Sequence, residues 1–132
     1  MTIYGKSQGT PLVVVLLAMA GCSDGATGPD NIEPCTVNSV TVSVSSGTTP
    51  TFTWTPACRV LMLLVEQEAT DQWLLEATGD GIAPGVRYGT VPPGATARDP
   101  AIPLQAGTTY EVILFRGPPE SAVIIAIEEF VP

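Results

Sequence analysis

Apolar and polar residues alternate at Val40, Val42 and Val44 and again at Phe52 and Trp54. This period of two predicts half-buried β-strands over residues 37–44 and 51–55. Between them, Ser45, Ser46, Gly47, Thr48, Thr49 and Pro50 have the composition of a hairpin turn. Pairing the two runs with their even-numbered residues on the core face predicts Val42 opposite Phe52 and Thr36 opposite Cys58. Residues 60–65 form an unbroken apolar run that suits a central strand, and residues 71–78, with Trp73 and Leu75, read as the next one. Ten of the residues from 79 to 103 are Gly or Pro, so only short pieces such as Val86, Arg87 and Tyr88 are expected to be strand there. A last hairpin is expected from residues 109–116 and 121–131, turning at Gly117, Pro118 and Pro119. About seven short strands separated by turn signals predict an all-β, antiparallel sandwich.

The pattern differs at the start of the chain. Residues 1–11 are polar with one cation, Lys6, and are followed by the apolar run Leu12, Val13, Val14, Val15, Leu16, Leu17, Ala18 and Met19. That run is too short to span a bilayer and reads as the core of a signal peptide. It ends in Met19, Ala20, Gly21 and Cys22, which resembles the bacterial lipobox. The lipobox chemistry needs a thiol to alkylate and small side chains before it for the peptidase to fit. Met19 stands where the lipobox usually has Leu, and the preceding region usually carries more than one cation. The resemblance implies a signal peptide over 1–21 and a diacylglyceryl thioether on Cys22. A flexible tether over 22–34 and a domain over 35–132 would follow. Each buried acyl methylene contributes ~0.8 kcal/mol, so two or three chains hold a protein at a membrane without a transmembrane helix. The expected location is extracytoplasmic in the bacterial cell envelope. By the enteric rule, Ser23 directly after Cys22 implies the outer membrane.

With Cys22 assigned to lipid, Cys35 and Cys58 remain as a pair in an oxidising compartment, and a disulfide at the open end of the first hairpin is expected. Metal ligation by the same two thiols lacks partners, because the chain has no His and no other Cys.

Two local motifs sharpen the fold. Phe52, Thr53, Trp54, Thr55 and Pro56 resemble the second strand of fibronectin type III domains. Leu104 to Tyr110 resembles their tyrosine corner, in which the Tyr hydroxyl bonds backbone near the preceding loop and the ring enters the core. The resemblance spans roughly residues 36–131 and implies an immunoglobulin/fibronectin type III-like sandwich with Trp54 and Tyr110 as structural core. It departs from the family at the crosslinked first hairpin and the Pro/Gly-rich stretch, which leaves the topology of 79–103 open.

Composition narrows the function. Five cations against thirteen acids give a net charge of −8, or −9 once residues 1–21 are removed with Lys6. Nucleic-acid binding needs clustered Lys and Arg, so it is excluded as an expectation. Catalysis lacks a His base and a spare thiol, and the chain is expected not to be an enzyme and to carry no cofactor or metal. Glu66 and Glu68, two apart on one strand, are the carboxylate pair that keeps a carbohydrate-binding or glycan-active alternative open. Asp24, Asp30 and Glu33 lack EF-hand spacing, and Asp80 with Gly81 reads as a turn.

The candidate interaction surface comes from strand parity. If Tyr110 points inward, so do Val112 and Leu114, and Ile113 and Phe115 point outward. Glu66 and Glu68 share parity with Met62 and Leu64, and Glu128 shares it with Ile124, so the even-numbered residues of those strands are assigned outward. Met62, Leu64, Trp73, Ile113, Phe115 and Ile124 then form an apolar patch of a kind that monomers seldom leave bare. Three readings follow: residues 79–103 fold over it; a protein partner or a second copy covers it; or it is a ligand groove involving Trp73 and Tyr88. The function expected is a lipid-anchored binding or structural module of the envelope.

Overall fold

A computed structural model describes residues 32–132. The expected signal peptide, Cys22 and all but the end of the tether lie outside the described residues. Eight strands follow in order: β1 (Thr41–Val44), β2 (Thr51–Thr55), β3 (Met62–Gln67), β4 (Thr70–Ala77), β5 (Val86–Arg87), β6 (Ala95–Asp99), β7 (Tyr110–Arg116) and β8 (Val123–Phe130). They form two antiparallel sheets, one ordered β1-β2-β5 and the other β6-β4-β3-β7-β8. The expected all-β sandwich is therefore the architecture. Its core lies between the sheets, where Phe52, Trp54, Leu63, Val65, Trp73, Leu75, Val112 and Leu114 are buried.

Local chemistry places the core residues. Trp54 buries its ring and donates its indole N–H to the carbonyl of Cys58 at 2.7 Å, so the large side chain enters the core with its polar atom satisfied. Tyr110 is buried and its hydroxyl accepts the backbone N–H of Gln105 at 2.9 Å, the bond expected of a tyrosine corner. Its ring stacks on Phe130, which meets Phe52 of the opposite sheet edge-on.

Cys35 and Cys58 are bonded, with their α-carbons 4.8 Å apart. The hairpin around them differs from the expectation. Val42 lies opposite Trp54 and Val44 opposite Phe52, a shift of two residues that keeps the same face buried. β1 begins only at Thr41, and Cys35 sits before it in a separate segment. There the Cys35 N–H donates to the carbonyl of Arg59 and the Arg59 N–H to that of Glu33, both at 2.8 Å. The disulfide thus fastens the approach to β1 against the β2–β3 connection.

Residues 79–103 do not fold over a sheet. Ile82, Val86 and Tyr88 turn into the core, β5 joins the small sheet beside β2, and β6 pairs along the edge of β4. The segment therefore crosses from one sheet to the other along the side of the sandwich. At Gly81 (φ +112°) a β-carbon would approach the Arg59 β-carbon to 2.7 Å, so this crossing needs glycine.

Candidate interaction face

The outer face of the five-stranded sheet is built from three cross-strand rows. β-Strand pairing sets Leu74, Leu64, Ile113 and Ile127 side by side across β4, β3, β7 and β8. One row further along lie Glu76, Met62, Phe115 and Ile124. On the other side, Asp71, Glu66, Glu111 and Glu129 form a row of carboxylates across the same four strands. One apolar row and a second that is apolar except for Glu76 at its β4 end are thus bordered by an acidic one.

Exposure varies across the apolar rows. Ile124 and Ile127 on the edge strand are 48% and 56% exposed, and Met62, Leu64, Leu74 and Phe115 are half-buried. Ile113 is only 7% exposed, because Leu64 and Ile127 flank it on the pleat. Among the described residues, the one ion pair on this face joins Arg98 to Glu76 at 3.5 Å. The carboxylate row borders a hollow of about 500 Å³ lined by Glu66, Glu68, Thr109, Glu111 and Glu129.

Three sequence expectations need correction. Trp73 does not belong to the face: it is 1% exposed in the core, and Leu74 is the outward residue of β4. The β3–β4 pairing shifts between Val65 and Glu66, where buried Gln72 has no place in the register, so alternation along β4 is interrupted. On β8 the parity holds for Ile124 but reverses beyond it. An irregularity opposite Leu114 and Phe115 leaves Ile125 buried, turns Ala126 toward the core and sets Ile127 outward beside Ile113. Glu68 leaves the strand altogether: with Ala69 it forms the tip of the β3–β4 hairpin, at φ 48° and 63°, so Glu66 and Glu68 are no same-face pair.

Trp73 and Tyr88 meet edge-on, ring centroids 5.0 Å apart, and Tyr88 is only 4% exposed. The Tyr88 hydroxyl donates to the carbonyl of Ile102 at 2.6 Å. Burial, with Tyr110 adding to it, pushes that hydroxyl up to about 12, although the bond to Ile102 opposes the shift. Both rings belong to the core, and the edge of Tyr88 borders a surface hollow of about 330 Å³ that Trp73 does not line. Among the described residues no group of three or more His, Cys, Asp or Glu is placed to hold a metal ion. No described helix is long and apolar enough to cross a membrane.

Comparison of the chain with known protein families, curated proteins and solved structures finds no match.

Proposed function

We propose that the protein is a lipid-anchored, extracytoplasmic binding module that holds a protein partner on the outer face of its five-stranded sheet. The observation that carries this reading is the pair of apolar rows ending in exposed Ile124 and Ile127, which no segment among the described residues covers. A surface of this kind is stabilised by occupancy, since each Å² of apolar area removed from water contributes about 25 cal/mol. The lipobox-like Met19 to Cys22 and the Cys35–Cys58 disulfide support an exported location. The tyrosine corner and the placement of β2 between β1 and β5 support the likeness to fibronectin type III domains, which often bind partners through a sheet. Fold alone never sets function, so the reading rests on the face.

Ile127→Asp tests it. Ile127 lies outside the core, so the melting temperature of the variant should stay within a few degrees of wild type. Partners co-purifying with the full chain from solubilised envelopes of its host should be lost. Unchanged recovery with Ile127→Asp overturns the proposal.

A further inference from the structure

We infer that the occupant of this face is a cationic amphipathic helix of another protein, an inference that rests on the binding role proposed above and adds the partner's chemistry. The face is divided along the strands: the apolar rows Leu74/Leu64/Ile113/Ile127 and Met62/Phe115/Ile124, the latter ending on β4 in Glu76 paired with Arg98, lie beside the row Asp71/Glu66/Glu111/Glu129. Like charges directly opposite on neighbouring strands destabilise a sheet, and here Glu66 faces Glu111 and Glu111 faces Glu129. A partner that supplies cations relieves this repulsion, so charge complementarity selects it.

The spacing suits a helix laid across the strands. Successive rows are roughly 7 Å apart along a strand and neighbouring strands roughly 4.8 Å apart. A helix about 10 Å across covers both apolar rows, and its pitch of about 5.4 Å is close to the strand spacing. One Lys or Arg per turn on its flank therefore meets one carboxylate per strand at Glu66, Glu111 and Glu129. The hollow beside these carboxylates leaves room for the cationic side chains.

A second copy of the chain fits less well. Arg98 is the only cation on this face among the described residues, and it is already paired with Glu76. Face-to-face packing of two copies adds four carboxylates and no free cation.

The test measures binding of a labelled 18-residue Leu/Lys peptide with helical amphipathic spacing to the full chain in mild detergent, by fluorescence anisotropy. Two further peptides, a Leu/Glu peptide of the same pattern and a scrambled Leu/Lys peptide, serve as controls. The Leu/Lys peptide should bind at least tenfold more tightly than either control and weaken as salt rises from 20 to 150 mM. Glu111→Lys with Glu129→Lys should weaken it tenfold or more. Ile127→Asp should weaken it too, although it adds a carboxylate; a merely electrostatic attraction would strengthen instead. Circular dichroism of each variant checks that the sheet is intact.

If Ile127→Asp removes the native partner but the Leu/Lys peptide binds no better than its controls, the helix inference is overturned and the binding role stands. If Ile127→Asp affects neither, both fail. Sedimentation of the full chain as a dimer that Ile127→Asp dissociates overturns the inference in favour of a second copy.

Discussion

Replacing Cys35 and Cys58 together by Ala should lower the melting temperature by about 15 °C. The disulfide closes a sequence separation of 23 residues, containing β1, the first turn and β2. Loop-closure entropy for a ring of that size is worth about 3 kcal/mol at 25 °C. Unfolding entropy near 2.1 cal/mol/K per residue gives about 0.2 kcal/mol/K for a domain of about 100 residues, hence the shift of about 15 °C. The folded state should change little, because the Cys35 N–H bond to the Arg59 carbonyl and the Arg59 N–H bond to Glu33 still dock the segment. The assay is a thermal melt of wild type and double variant, leaving Cys22 untouched, with non-reducing peptide mapping of the wild type. A shift under about 3 °C would refute the loop-closure reasoning, and free alkylation of both thiols in the folded wild type would refute the bond.

Four further outcomes are expected. Ala69→Gly should stabilise by about 1 kcal/mol in denaturant titration, because φ 63° at the hairpin tip strains a residue with a β-carbon. Tyr110→Phe removes the acceptor for the Gln105 N–H and should destabilise by about 1 kcal/mol. Tyr88 should titrate near 12 by ultraviolet difference spectra. Since the folded value lies above the unfolded one of about 10, the associated stability is intact below pH 10 and is lost as pH rises through 12. Cys22→Ser should abolish acylation and processing, which mass spectrometry of the mature N-terminus reads directly.

Much of the fold was legible because alternation is a local signal. Val42, Phe52 and Trp54 announce the small sheet and Tyr110, Val112 and Leu114 the large one, and the buried faces are those expected. The first-hairpin register was not legible: a two-residue slip preserves which side chains are buried, so only the turn decides it. β6 was hidden for another reason. Ala95–Asp99 carries almost no β-branched or aromatic residues and lies between Pro93-Gly94 and Pro100, and edge pairing with β4 alone makes it strand. The face was legible through Met62, Leu64, Phe115 and Ile124. Ile127 was missed because the irregularity on β8 reverses parity, a shift that leaves no mark in a hydropathy pattern, and Leu74 because Trp73, Leu74 and Leu75 are one apolar run in which nothing says which residue faces out. The carboxylate row could be seen only once register aligned residues as far apart in sequence as Asp71 and Glu129.

The most direct measurement is site-specific photocrosslinking in intact cells of the native host. A photoreactive side chain at Ile127 probes the outer face, and one at exposed Thr53 on the opposite sheet serves as control. The expected result is an adduct of one defined protein from Ile127, carrying a basic amphipathic segment at the crosslinked peptide, and none from Thr53. Equal labelling from both positions, or none from Ile127, would contradict the account.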